Sequence, residues 1–191
     1  MENLIKNIRS LIDVNDHVLT RTLSCFEKIQ LDKGADFRSY GKIASSMQFI
    51  EQGLVRVFFL DDSLKEITVQ IGIENNWINN LYSFINGVTN EFYTEILAPT
   101  TIYQLHKSKF EKLLNDVPKM EPYFRLKLEQ SYSRLHNRAY GQLNKTAEEK
   151  YLTFREHYGH IEQLVPQYII ASYLNISPEH LSKIRKQLSS H

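Results

Sequence analysis

Residues 166–188 of the chain read PQYIIASYLNISPEHLSKIRKQL, and this stretch decides the fold. Apolar side chains recur at helical spacing on both sides of a short polar break, which predicts two short helices. Asn175 can adopt the left-handed conformation that ends a helix, and Ser177 followed by Pro178 is a favourable helix start. Ala171 is small where the second helix must cross the first closely. This order is typical of a helix-turn-helix motif, whose second helix presents polar and basic groups to the major groove of DNA.

The second predicted helix carries the candidate DNA contacts on its polar face. Side chains near the start of such a helix read base edges, since glutamate accepts from the cytosine amino group and lysine donates to guanine. Arginines and lysines further along meet phosphates, which give affinity but little specificity. Periodicity alone would also fit a plain helical hairpin with a solvated basic face. The predicted DNA-binding residues are Ser177, Pro178, Glu179, His180, Ser182, Lys183, Arg185 and Lys186.

The composition is that of an ordinary soluble globular protein. With 191 residues, 42% hydrophobic and 24% charged, the chain fits one large domain or two small ones and does not fit a disordered class. A net charge of +1 excludes a uniformly basic nucleic-acid coat but not a local basic helix. Cys25 is the one cysteine, which excludes an intramolecular disulfide and a cysteine-based zinc or iron–sulfur site in one chain. No apolar run reaches the length of a signal peptide or a membrane span, so a cytoplasmic protein without a membrane partner is expected.

Three regions differ in their sequence pattern. Residues 1–25 alternate apolar and polar side chains at helical spacing. Residues 26–106 carry short runs of β-branched and aromatic side chains separated by turns of Gly, Asp, Asn and Pro. Several short strands at regular spacing favour a β-sandwich, a jelly roll or a barrel. From residue 107 the pattern becomes helical again.

A long helix without an internal proline is predicted to run as far as Gly141. Its apolar side chains step by 4, 4, 3, 4 and 4 residues, which is a narrow stripe close to the seam of a two-stranded coiled coil. Such a helix needs a partner, which can be its own twin across a two-fold axis. The alternative is that the stripe covers the β domain, and each interpretation can hold at one end of the helix. The predicted dimerisation residues are Phe124, Leu128, Tyr132, Leu135, Ala139 and Leu143.

Four segments together resemble a Crp/Fnr-type transcription regulator with a cyclic-nucleotide-binding-like β-roll. They are FIEQGLVRVFF (49–59), KEITVQIGIENNWI (65–78), TAEEKYLTFREHYG (146–159) and the stretch 166–188 quoted above. The resemblance covers nearly the whole chain, and its helical segments are the most specific part.

The resemblance implies an α+β fold and a division of the chain into three parts. An N-terminal antiparallel β-roll, jelly-roll-like, is expected over residues 1–116, a dimerisation helix over 117–145 and a helix-turn-helix domain over 146–191. It also implies a homodimer that binds a two-fold symmetric site in double-stranded DNA, with half-sites about one helical turn apart. RNA polymerase is a further candidate partner.

The segment that holds the effector in nucleotide-binding relatives departs from the family pattern. Asn80 stands where those relatives carry a ribose-binding Glu, and Asn90-Glu91 stands where they carry Arg-Ser. Residues 72–99 contain no Lys or Arg, yet a buried phosphate needs cationic or dense amide donors. Binding of cAMP in the usual way is therefore not expected, and an uncharged or cationic small molecule of unknown identity would suit the site better. The alternative is that its aromatic side chains simply fill the core. The candidate effector-pocket residues are Trp77, Asn79, Asn80, Tyr82, Asn90, Glu91, Tyr93, Leu135 and His136.

Enzymatic interpretations find no support in the sequence. A cupin-like metal site needs histidines on the strands, and none of the seven histidines lies between residues 18 and 105. No G-x-S-x-G or P-loop motif occurs. No catalytic residue, metal or cofactor is therefore predicted. Two classes remain, namely a DNA-binding regulator, or a small-molecule-binding or protein-interaction module that has lost DNA binding.

Overall fold

The computed structural model describes residues 1–37 and 40–189. Eight helices and seven strands follow one another in the described chain. The helices are α1 (Glu2–Arg9), α2 (Asp16–Leu23), α3 (Leu81–Asn86), α4 (Lys107–Asp116), α5 (Glu121–Asn144), α6 (Ala147–Tyr158), α7 (Gln167–Leu174) and α8 (Pro178–Ser189). The strands are β1 (Glu27–Leu31), β2 (Ser46–Gln52), β3 (Leu54–Leu60), β4 (Glu66–Ile73), β5 (Trp77–Ile78), β6 (Tyr93–Ile96) and β7 (Thr100–His106). The predicted α+β class is confirmed.

The strands form two antiparallel sheets that pack face to face as a β-roll. The first sheet has the order β1-β7-β2-β5, and the second has the order β4-β3-β6. Apolar side chains of both sheets meet in one core, because alternate residues of each strand point inward. This inter-sheet core consists of Ile50, Val55, Ile78, Ile96 and Ile102.

Gly53 lets the chain pass from the first sheet to the second between β2 and β3. Its φ of +121° lies in a region that side chains with a Cβ rarely adopt. A Cβ at this position would lie 2.6 Å from the Cα of Thr100, which is too close for any residue except glycine.

Helices α1, α2 and α4 and the first turn of α5 cover the other face of the first sheet. Leu4 and Ile8 of α1 and Leu113 of α4 pack against Leu105 of β7 in a second apolar core. Glu51 accepts hydrogen bonds from the backbone N–H groups near the start of α1, which ties that helix to the end of β2.

The long predicted helix is present as α5, which has 24 residues. The first residue of the predicted stripe, Phe124, packs against Phe110 and Trp77, so the stripe covers the β domain at this end. Further along, Leu135 is 65% exposed and Leu143 is 89% exposed. Leu128, Tyr132 and Ala139 are exposed as well. The greater part of the stripe therefore has no partner within the described chain.

The predicted helix-turn-helix is present as α7 and α8. Asn175 ends α7 in the left-handed conformation, and the Ser177 hydroxyl accepts a hydrogen bond from the His180 N–H at the start of α8. The motif does not stand apart from the roll, because its buried residues share one core with Leu54 and Ile71 of the second sheet. The domain boundaries at 116 and 145 stay a prediction.

None of the helices in the described part of the chain has an apolar run long enough to span a bilayer.

Candidate DNA interface and roll cavity

Helix α8 buries one face and exposes the other. Leu181 and Ile184 are buried against α7, whereas Glu179 and Lys183 on the opposite face are exposed, and so is His180. Hydrogen bonds from its own backbone N–H and from the Ser177 hydroxyl lower the pKa of the Glu179 carboxyl, so it is an anion at the start of the helix. Among the other predicted DNA contacts, Ser177, Pro178 and Lys186 are also exposed and Ser182 is partly exposed.

Arg185 lies apart from the other candidate DNA contacts. Its Nε is 3.4 Å from Oε1 of Glu162, a carboxylate that is 8% exposed. The same carboxylate accepts a hydrogen bond from the Tyr151 hydroxyl and lies 3.5 Å from Nε of Arg155. Glu162 was not among the predicted site residues, since no local sequence pattern marks a loop glutamate that is contacted from two helices.

Helix α7 is held on the outer face of the second sheet by polar contacts. The Ser172 hydroxyl donates to the Glu66 carbonyl at 2.8 Å and accepts from the Thr68 N–H at 2.9 Å. Arg138 of α5 donates to the Thr68 carbonyl at 3.2 Å and to the Tyr173 carbonyl at 3.1 Å. Three elements distant in sequence, β4, α5 and α7, are thereby joined at one place.

Arg56 lies at the centre of this contact and is 1% exposed. Its Nη1 is 2.6 Å from Glu66 and 3.2 Å from Glu95, and its Nε donates to the Thr68 hydroxyl at 2.9 Å. The ring of Tyr168 on α7 lies 5.6 Å from the guanidinium carbon. Nη2 is buried without a hydrogen-bond partner among the described residues. Arg56 was not among the predicted site residues either. A charged residue inside the apolar run LVRVFF is nevertheless a sequence signal for a buried, paired cation.

A cavity of about 580 Å³ opens within the β-roll. Asn79, Asn80 and Asn90 line it, so the structure brings three of the predicted effector-pocket residues together. Other polar lining residues include Gln48, Ser46 and Gln104, and the charged ones are Asp36 and Lys42.

Two of the three asparagines hold the cavity wall together. The Asn80 side chain donates to Oδ1 of Asn90 at 2.6 Å and accepts from the Ser83 N–H, which caps α3. Asn90 is buried and forms two further hydrogen bonds with the backbone of Phe92. Their amides therefore satisfy each other and the loop, which neutral side chains can do without a bound anion.

The remaining predicted pocket residues do not line this cavity. Trp77 is part of the α-helical core, where its Nε1 donates to the Tyr123 hydroxyl at 3.0 Å. Tyr93 stacks on the Tyr40 and Phe58 rings, because side chains alternate along β6 and its neighbour Thr94 faces the cavity. Exposed positions outside the described cavity lining are occupied by Tyr82, Glu91, Leu135 and His136.

No group of His, Cys, Asp or Glu among residues 1–37 and 40–189 has the geometry to hold a metal ion.

The sequence matches no protein-family model, and it matches no curated protein. Its structure is similar to the c-di-GMP responsive global regulator CLP of Xanthomonas campestris, with a TM-score of 0.73, 12% identity and 92% of each chain covered. FixK2 from Bradyrhizobium japonicum gives a TM-score of 0.73 at 16% identity, over 86% of this chain and 85% of that one. A CooA mutant from Carboxydothermus hydrogenoformans gives 0.70 at 17% identity, over 94% and 86%. At these identities the likeness shows the fold, and the chain has the β-roll, long helix and helix-turn-helix of Crp/Fnr-type regulators, as the resemblance predicted.

Proposed function

We propose that this chain is a sequence-specific DNA-binding transcription regulator and not an enzyme. One observation carries the proposal, namely that α8 buries Leu181 and Ile184 while the polar face with Glu179, His180 and Lys183 is exposed. A helix of this kind fits the major groove, where residues of its first turns reach base edges. Lys183 and Lys186 would add phosphate contacts. Such a protein acts in the cytoplasm, the compartment predicted above.

The proposed active form is a homodimer paired through α5. The exposed stripe from Leu128 to Leu143 has the spacing of a coiled-coil seam, and a second copy of the same helix would bury it. A two-fold axis along α5 gives two recognition helices, which read a two-fold symmetric operator with half-sites about one helical turn apart. RNA polymerase would be the further partner of an activating regulator.

The cavity of the β-roll is the proposed effector site. Half of the residues in its described lining carry amides or hydroxyls, and Lys42 and Asp36 are the charged members. A buried phosphate needs several cationic or amide donors, but the side-chain N–H groups of Asn80 and Asn90 already donate to Asn90 and to the Phe92 carbonyl. This arrangement supports a neutral or cationic small molecule over a cyclic nucleotide.

A second candidate function rests on the same cavity. If the helical C-terminal region has lost DNA binding, the chain would be a small-molecule-binding module. Alternatively, it would be a protein-interaction module that binds another protein through the surface of α7 and α8. The exposed basic residues of α8 favour the first proposal, because such a module has no need of them.

The decisive experiment is selection of genomic fragments on the purified protein at about physiological salt, where non-specific phosphate attraction is weakened. The expected result is one enriched two-fold symmetric motif. The variant Lys183→Gln/Lys186→Gln should lose that enrichment, whereas Lys112→Gln on α4 should keep it while changing charge in the same direction. Enrichment that is unaffected by the double substitution would contradict the assignment of α8.

A thermal-shift series tests the effector proposal separately. We expect no stabilisation by millimolar cAMP, cGMP or c-di-GMP. A clear rise in Tm with any of them, of the size that mass action gives at saturation, would contradict the proposed ligand class.

A further inference from the structure

Glu162 is contacted by side chains of α6 and of the proposed recognition helix α8. It follows the short 3-10 turn at Gly159–Ile161, where the chain passes from α6 to α7. Tyr151 and Arg155 approach it from α6, and Arg185 approaches it from α8. The ion pair between Arg185 and Glu162 joins α8 to the segment between α6 and α7.

Burial makes this contact energetically important. A carboxylate that is 8% exposed has lost most of its water, so it depends on the hydrogen bond from Tyr151 and on the ion pairs with Arg155 and Arg185. Burial and the hydrogen bond to Glu162 raise the pKa of Tyr151 to about 12, so its hydroxyl stays protonated and remains a donor at neutral pH. The Tyr151 hydroxyl thus holds the Glu162 carboxylate in position, and the carboxylate in turn positions the Arg185 guanidinium.

The helical geometry of α8 separates Arg185 from the DNA-facing residues. At about 100° per residue, Glu179, Lys183 and Lys186 lie within about 60° of one another around the helix. Arg185 lies about 100–160° away from each of them, on the flank that faces α6. Its side chain is 32% exposed, so it is accessible to solvent but already paired.

We propose that Glu162 is a positioning residue that holds Arg185 away from DNA phosphates and sets the orientation of α8. This inference rests on the proposed DNA binding. Arg185 then contributes to the placement of the recognition helix and not to non-specific affinity for DNA. The sequence instead predicted that Arg185 contacts a DNA phosphate. Release of Arg185 would strengthen binding to any DNA and reduce the preference for the operator.

The test is the salt dependence of binding to a random-sequence duplex, because the slope counts phosphate contacts. Lys183→Gln should lower the slope by about 0.9 per chain, the value for one lost contact. Arg185→Gln should leave it unchanged. Glu162→Gln should raise it by about 0.9 per chain, since the freed Arg185 becomes a new contact.

Two controls test whether the increase in the salt-dependence slope of Glu162→Gln comes from Arg185. The double variant Glu162→Gln/Arg185→Gln should return the slope to the wild-type value, because the arginine that would make the new phosphate contact is gone. Glu156→Gln, an exposed acid on α6, should not change the slope. The inference is overturned if Arg185→Gln lowers the slope as Lys183→Gln does, or if Glu162→Gln leaves it unchanged.

Failure of the DNA proposal would look different, because the wild-type protein would then bind no duplex. The positioning role is still measurable in the free protein by hydrogen exchange. Glu162→Gln and the milder Arg185→Gln, which leaves Glu162 two donors, should both speed exchange of α8 amides and leave the strands of the first sheet unchanged. Unchanged exchange in α8 for both variants would overturn the role of Glu162.

Discussion

Arg56 on β3 and Glu95 on β6 lie directly opposite each other, with Nη1 of Arg56 3.2 Å from Oε2 of Glu95. The next pair along the same two strands is Val57 and Thr94, and both line the cavity of the β-roll. Because side chains alternate across a sheet, one face of this ladder borders the cavity and the other carries α7. The cavity and the helix-turn-helix are therefore separated by a single layer of backbone.

We expect the contacts of Arg56 to stabilise the packing of α7 on the second sheet. Arg56→Met should lower the free energy of unfolding by about 2 kcal/mol, below the roughly 3–5 kcal/mol of a fully buried pair because Glu66 and Glu95 remain hydrated. Hydrogen exchange should also become faster in α7. Chemical denaturation and exchange of this variant should be compared with Lys65→Met, an exposed substitution on the β3–β4 hairpin. Equal stability of the two variants would contradict the role of Arg56.

The exposed stripe of α5 predicts the assembly state. Leu135→Glu should convert a dimer to a monomer, since two carboxylates would face each other across the proposed seam. Sedimentation equilibrium measures the change. Asn137→Glu adds the same charge two residues away on another face of α5, and it should leave the dimer intact. A dimer that survives Leu135→Glu would show that α5 does not form the interface.

Gly53 and Gly34 both have a positive φ, but only Gly53 lies against another residue. Comparing the two tests why glycine is needed between β2 and β3. Gly53→Ala should lower the free energy of unfolding by about 3 kcal/mol, because left-handed strain adds to a collision with Thr100. Gly34→Ala should cost about 1 kcal/mol, since φ is also positive there but no atom lies within 4 Å of the added Cβ. Urea denaturation of both variants measures the difference. Similar losses would mean that Gly53 is needed for its backbone conformation alone.

Glu51 predicts a loss of stability in acid. Burial would raise the pKa of this carboxyl, but hydrogen bonds from the amino group of Met1 and the N–H groups of Asn3 and Leu4 outweigh burial and lower it below 4.5. A depressed pKa in the folded state contributes stability that is present above pH 4.5 and lost as pH falls through the folded-state pKa. Glu51→Gln should therefore be less stable than wild type at neutral pH, with the gap closing in acid. A constant gap in Tm between pH 7 and pH 3 would contradict this linkage.

The secondary structure of the helical region was predictable because its signals are local. Asn175 adopts the left-handed conformation, and Ser177 caps α8, as the residue types required. The spacing of apolar residues predicted helix α5 and its apolar stripe. It did not predict that Phe124 packs against the rings of Phe110 and Trp77. The two-sheet arrangement followed from the short runs of residues 26–106 together with the family resemblance.

The residues that line the cavity were harder to predict from the sequence, because lining depends on the direction of each side chain. Asn79, Asn80 and Asn90 line the cavity, whereas Tyr93 faces the opposite side of β6. A shift of one residue in a strand exchanges the two faces, and no local pattern in a short strand fixes that choice.

The sequence by itself determined where the helices and strands lie and which helix has the face of a DNA-reading element, since these features depend on residues within a few positions of one another. The tertiary structure decided that Ser172 bonds to the Thr68 N–H across 104 positions, that Arg56 is buried beneath α7, and that Arg185 is paired with Glu162. Such contacts join side chains that are distant along the chain. Their partners are set by how the helical region packs on the β-roll, and a charged residue in the sequence does not show whether packing leaves it in water or against another charge.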